Sequence, residues 1–147
     1  MTLILRPCAG EAELSDPAVT GPFAQQMAVV ANTEQVPPWC GYVGWNGNVP
    51  VGFGGFTAEP DDFGVVELGY LTFPGHTGQG VASAIAAGLV AIARTNSLRA
   101  VIAHTLPKED ASGAVLLRNG FVRDGEAVDP DEGTVWRWRL ELAGDVP

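Results

Sequence analysis

The sequence predicts one mixed α+β domain. Three observations lead there. Apolar runs of strand length recur along the 147 residues, separated by short glycine-, proline- and aspartate-containing turns. Helical spacing appears in three places, 22–34, 79–95 and 109–119. The order is therefore β, α, a β-meander, then α, β, α, β, β, unlike the strict alternation that builds an all-parallel sheet. A chain of this length is most simply one domain, able to bury roughly 70% of its unfolded surface.

Each element has its own signal. Residues 2–6 (TLILR) read as a first strand ended by Pro7, and five prolines between positions 7 and 38 exclude long helices there. The stretch 22–34 is the helical candidate in this region, with Phe23, Met27 and Val30 at i, i+4 and i+7. A hairpin is expected over 41–58, with its turn at Asn46-Gly47, a pair suited to positive φ. Its second arm carries Gly52, Gly54 and Gly55, which signals a bulge or a close backbone approach. Glu59-Pro60-Asp61-Asp62 then turns the chain into a strand at 64–73. The helix at 79–95 has the apolar stripe Val81, Ile85, Leu89, Ile92. A strand at 98–105 follows, then a helix at 109–119 closed by Asn119-Gly120, and strands at 121–126 and 134–142.

Composition narrows the function. Hydrophobic residues make up 46% and charged residues 17%, a globular balance. Eight Lys and Arg against 17 Asp and Glu give a net charge of −9, which repels nucleic acid backbones and suits a soluble surface or a cationic substrate. No run approaches the ~20 apolar residues that span a bilayer. The N-terminus MTLILRPC lacks the layout of a cleavable signal, so neither membrane nor export is expected and the location is read as cytoplasmic. Cys8 and Cys40 are expected as free thiols without metal-ligand spacing, and no metal is expected.

The most informative segment is 65–95, VVELGYLTFPGHTGQGVASAIAAGLVAIART. An apolar strand meets Pro74, then a glycine turn, then a helix. Glycines at such a junction let a ligand approach the amides, and the free N–H groups of a helix start attract phosphate. A P-loop would need Lys and Ser or Thr after its last glycine, where Val81-Ala82 stand. The dinucleotide fingerprint is nearly met by Gly78, Gly80 and Ser83. However, the preceding strands form a meander, and the next strand ends Ala103-His104-Thr105, without an acidic residue for a ribose.

Two motifs together point elsewhere. Glu67-Leu68-Gly69-Tyr70, Pro74 and Thr77-Gly78-Gln79-Gly80-Val81-Ala82 resemble the strand and turn of the GNAT superfamily of acyl-CoA-dependent N-acetyltransferases, in particular its ribosomal-protein alanine acetyltransferase-like branch. Thr105-Leu106-Pro107, Ala111-Ser112, Val115-Leu116, Gly120-Phe121 and the closing Trp136-Arg137-Trp138 are similar to later segments of the same branch. The likeness spans about 41–142, whereas the first 40 residues match loosely. It implies a GNAT fold, a single domain whose central, mostly antiparallel twisted sheet is splayed at the acyl-CoA site and flanked by helices. Pantetheine would then pair with Leu71, Thr72 and Phe73, and the pyrophosphate would lie on the amides of His76, Thr77, Gly78, Gln79, Gly80, Val81 and Ala82. An N–H near Leu71 would meet the thioester carbonyl.

The resemblance also implies a reaction, acetyl transfer from acetyl-CoA to a primary amine, either a protein N-terminus or a small cationic metabolite. Glu67 is the expected base. Its neighbours Val65, Val66 and Leu68 predict burial, which makes a carboxylate a better proton acceptor. Ser112 is expected to serve the leaving thiolate, with His104 assisting the base and His76 beside the phosphates. Three positions depart from the family pattern: Leu116 where many members carry a general-acid Tyr, Glu109 where an Asn contacts the cofactor, and Thr77 where a basic residue is usual. They leave a non-catalytic acyl-CoA-binding module as the alternative. Trp39, Tyr42, Trp45, Trp136 and Trp138 are read as core or as a contact between two copies, so a homodimer stays open, ahead of an acceptor-site cage. Acceptor contacts are expected from 7–40 and 126–134.

Overall fold

The structure, a computed structural model, describes residues 2–142. Its order is β1 (Leu3–Pro7), α1 (Pro17–Thr20), α2 (Ala24–Ala31), β2 (Gly41–Asn46), β3 (Val49–Phe56), β4 (Val65–Thr72), α3 (Val81–Thr95), β5 (Ala100–Thr105), α4 (Ala111–Arg118), β6 (Val122–Asp129) and β7 (Gly133–Glu141). Seven strands form one sheet in the order β1-β2-β3-β4-β5-β7-β6. Every neighbouring pair is antiparallel except β4 with β5. That one parallel contact follows from the helical crossover α3 between the two strands.

The expected elements are all present, with shifted ends. The helix anticipated at 22–34 is confined to Ala24–Ala31, after the single turn α1 and two 3₁₀ turns. Asp16 starts α1 by accepting from the Ala18 amide at 2.9 Å. The β2–β3 loop is Gly47-Asn48, one residue later than expected, because Asn46 pairs with Val49. Gly47 has φ 62° and Asn48 is not among the positive-φ residues, so the demand for glycine falls on the first central position, as in a II′ turn. β6 runs to Asp129, whose carboxylate accepts from the Asp131 and Glu132 amides and tightens the last hairpin.

The main core lies between the sheet and α3 with α4. Val81, Ile85 and Leu89 from α3 and Leu116 from α4 are each 0–1% exposed, against Val51, Leu68 and Val101 of the sheet. A smaller core on the opposite face packs Leu14 and Met27 beneath Val43 and Phe73, with Phe23 and Val30 against it. The glycines of β3 serve close approach. A Cβ on Gly52 would lie 2.7 Å from the Leu71 carbonyl oxygen and 2.8 Å from Ile85 Cδ1. β3 also bulges: Gly44 pairs with Gly52 while Trp45 pairs with Pro50, leaving Val51 as the extra residue.

The aromatic residues do not assemble into one cage. Trp39 and Tyr42 meet Phe56 edge-on, Trp45 joins the smaller core, and Trp138 is buried with Nε1–H donated to Thr105 Oγ1 at 2.9 Å. Trp136 lies under the Arg123 guanidinium, 3.9 Å from its ring centroid. Cys8 and Cys40 are buried free thiols, and burial pushes both thiol pKa values up. Among the described residues, no helix is long and apolar enough to cross a membrane and no group of His, Cys, Asp and Glu could hold a metal ion.

Candidate functional site

The parallel seam sets the geometry. Only Val65, Val66 and Glu67 of β4 pair with β5, at Ala100, Val101 and Ile102. Beyond them β4 stays with β3 as far as Thr72, and β5 stays with β7 as far as Thr105, so the sheet opens between β4 and β5. Thr57 N–H donates to the Glu67 carbonyl at 3.0 Å, and Phe73 N–H donates to the Val51 carbonyl at 2.9 Å. With an unbroken register between them, the main-chain groups of Gly69 and Leu71 face β3 as well. Strand alternation turns the amides of Leu68, Tyr70 and Thr72 toward the opening. This corrects the expectation at Leu71 and Phe73. The Leu71 amide belongs to the β3 ladder, and the Phe73 side chain is fully buried in the smaller core.

Past Thr72 the chain turns through Gly75, Gly78 and Gly80, with φ of 89°, 76° and 81°. Gly80 is the left-handed N-cap of α3 and supplies no side chain to its amides. The first bond that leads into the helix runs from Ala84 N–H to the Gly80 carbonyl at 3.0 Å. The Val81, Ala82 and Ser83 amides precede it and have no carbonyl one turn back. They border a groove of about 310 Å³ lined by Thr72, Thr77, Gly78 and Gly80 on one side and Ala111, Ala114, Val115 and Arg118 on the other. A Cβ at Gly78 or Gly80 would meet nothing within 4 Å, so these glycines leave open space for a ligand. Of the other residues expected here, Gln79 and His76 do not line the groove, and the His76 amide already donates to the Phe73 carbonyl.

α4 forms the second wall because its sequence repeats at i, i+3, i+4 and i+7 from Ala111 to Arg118. Asp110 caps it by accepting from the Gly113 amide at 3.2 Å. Asn119 Nδ2 donates to Val115 O at 3.0 Å and to Ser83 Oγ at 3.3 Å, tying the end of α4 to the start of α3. Arg118 brings a cation to the groove and forms no ion pair among the described residues. Sequence reading passed over it, although it is the basic residue two before Gly120 in the resembling segment. Glu109 lines a different cavity, of about 530 Å³ with Trp136 and Trp138, and so faces away from the glycine turn.

Leu116, at the position of the family's Tyr, is fully buried in the main core. Tyr70 brings a phenol to this end of the sheet and donates its O–H to the Ser112 carbonyl at 3.0 Å. Burial first, then the Asp110 carboxylate, pushes its pKa up to about 12, against a lowering by the Ser112 bond. Ser112 is partly buried at the second position of α4.

On the other face of β4 stands Glu67. Its carboxylate accepts from Thr57 Oγ1 at 3.4 Å and meets His104 Nδ1 at 2.7 Å. The expected burial is not found. The Glu67 side chain is 34% exposed and that of His104 25%, because no helix covers this part of the sheet and the apolar Val66 and Leu68 point to the opposite side. Beside it, toward α2, lies a pocket of about 470 Å³ whose lining includes Thr57, Gly69, Tyr70 and Leu71 together with Gln26, Val29, Val30, Thr33 and Gln35. The expected acceptor stretch 7–40 thus contributes to this pocket, whereas 126–134 does not.

No curated protein sequence matches the chain. Solved structures share its fold at low identity. It superposes on yncA of Salmonella typhimurium, a putative acetyltransferase solved with its cofactor acetyl-CoA, at 17% identity and TM-score 0.74, covering 100% of this chain and 96% of that one. A spermidine N-acetyltransferase chimera from Vibrio cholerae and hSSAT gives 16%, 0.77 and 97% of each chain. A RimL ribosomal α-N-protein acetyltransferase in complex with coenzyme A gives 23% and 0.63, over 71% of this chain and 63% of that one. A family model for the acetyltransferase (GNAT) domain matches residues 9–122, a span that takes in the opened seam, the glycine turn and both of its walls, and the chain belongs to that family.

Proposed function

We propose that the chain moves the acetyl group of acetyl-CoA onto a primary amine by direct attack, the two substrates meeting where β4 leaves β5. One observation carries the reading. The opening joins a groove of free amides on one face to a pocket beside a carboxylate–imidazole pair on the other. Acetyl-CoA would supply an acyl carbon activated as a thioester. The residues that fit it are Thr77, Gly78, Gly80, Val81 and Ala82 around the phosphates, with Arg118 opposite them. The inward-facing amides of Tyr70 and Thr72 are the donors available to pantetheine and to a developing oxyanion.

The Glu67–His104 pair takes the ammonium proton. Donation of Nδ1–H to Glu67 leaves Nε2 as the basic atom of the imidazole, so the pair offers either a carboxylate or an imidazole acceptor. Tyr70 serves the leaving thiolate. With a pKa of about 12 the phenol is a weaker acid than a thiol, whose ordinary value is about 8.5. Turned from the Ser112 carbonyl, its O–H donates a hydrogen bond to the thiolate and keeps its proton, while the thiolate takes up the second proton shed by the attacking nitrogen. Ser112 places the carbonyl that aims Tyr70 and lends its hydroxyl to the same end of the opening.

Two variants test the reading. Gly80→Glu puts a carboxylate into the groove, and calorimetry should show acetyl-CoA binding lost; retained binding overturns the cradle. Glu67→Gln should keep acetyl-CoA binding while turnover falls about 10²–10⁴-fold, the range of a general base. Because Leu116 has removed the family's usual phenol, a binding module without turnover is the second reading. It is favoured if the unmodified chain binds acetyl-CoA and acetylates no amine.

A further inference from the structure

The pocket beside Glu67 carries information about the acceptor that the family does not. Its 470 Å³ lies within the usual range for a small-molecule site, and among the described residues no Asp, Glu, Lys, Arg or His lines it, although the net charge is −9. Its walls are Val29, Val30, Phe53, Phe56 and Leu71, and its floor is bare at Gly69, where a Cβ would meet nothing within 4 Å.

The polar side chains in the wall are mostly committed elsewhere. Thr33 Oγ1 donates to the Val29 carbonyl at 2.7 Å, and Gln35 donates to the Thr33 and Val30 carbonyls while accepting from the Gly41 amide at 2.8 Å. Thr57 Oγ1 is turned to Glu67. Only Gln26, on the exposed side of α2, keeps a free amide. A second ammonium on the substrate would shed part of its water here and find no counter-charge to replace it, which is costly. An apolar body would gain from the same walls.

We infer that this pocket receives the body of a monoamine with an uncharged, apolar frame, its single ammonium directed at Glu67, and that it disfavours diamines and polyamines. This rests on the acetyl-transfer reading and narrows it. It narrows the protein N-terminus or small cationic metabolite expected from sequence to a small amine of one positive charge, because no acidic side chain among the described residues lines the pocket.

The matched pair hexylamine and hexamethylenediamine tests it, since they differ in one terminal ammonium. With acetyl-CoA saturating, kcat/KM should favour hexylamine about tenfold or more, in the range that pocket discrimination reaches. Val30→Asp should narrow or invert the ratio. Equal or better use of the diamine overturns the inference and leaves acetyl transfer standing. So does acetylation of other amines with hexylamine refused. If the protein binds no acetyl-CoA, the acetyl-transfer reading falls. Calorimetric binding of the two amines to the protein alone then decides the pocket, a hexylamine preference supporting it and equal or absent binding overturning it.

Discussion

At the scale of single residues, the positions that departed from the family pattern are those on which structure adds most. Thr77 removed a cation from the phosphate side of the turn, and Arg118 restores one from across the groove. Arg118→Ala should weaken acetyl-CoA affinity about tenfold, the value of roughly one charged hydrogen bond, with the melting temperature little changed because the residue is exposed. Titration calorimetry beside a thermal scan checks both halves. Unchanged affinity would take Arg118 out of the site. Its role was legible in principle, since Ala111, Ala114, Val115 and Arg118 repeat with helical spacing. The glycine turn itself, readable as a string, drew attention away from the opposite wall. Tyr70 was quoted in a motif yet given no task. Assigning one required the alternation along β4 that sends Val66, Leu68 and Tyr70 to one face and Glu67 to the other. Burial of Glu67 was expected from its neighbours in sequence, but neighbours in a strand point to opposite faces.

At the scale of elements, the number and order of strands and long helices followed from periodicity and turn chemistry. Less legible was the region before β2. Pro17 and Pro22 broke it into short turns, so that Phe23, Met27 and Val30 were marked by their spacing while Leu14 of the same smaller core was not. The glycines of β3 were recognised as a close approach without the partner being evident; it is α3 for Gly52 and Gly54, and the Cys40-Gly41 backbone for Gly55. Gly52→Ala would press a methyl group against the fixed Leu71 carbonyl oxygen as well as against Ile85. A destabilisation of about 1–3 kcal/mol is expected, read from denaturant midpoints. A neutral result would mean that α3 can move away from β3. Because Leu71 also lines the pocket proposed for the amine, the same variant should raise KM for it.

For the whole molecule, sequence predicted the sheet and its splay only through resemblance, since no local pattern says how many residues two parallel strands will share. Alkaline stability gives a test of the assembled interior. The chain has two tyrosines, Tyr42 and Tyr70, and burial pushes both up to about 12 from an ordinary value near 10. A raised folded pKa means that the native state holds a proton which the unfolded chain has lost. The stabilisation is therefore complete below about pH 10 and disappears as the pH climbs toward 12. Phenolate absorbance and circular dichroism should change together in that window. Phenolate forming near pH 10 with the fold intact would show that the two phenols are open to solvent.

The three-residue seam has one more consequence. An ordinary open sheet has two margins, here β1 and β6, where unpaired backbone meets water. This sheet has four, because β4 and β5 each carry a free margin beyond Glu67 and Ile102. Outer margins are commonly blunted by charge or proline, but an inner one cannot be blocked without closing the opening. The acyl donor proposed for this gap would then also be a stopper. With it in place no strand of a neighbouring molecule could graft itself there, and resistance to aggregation should rise with its concentration.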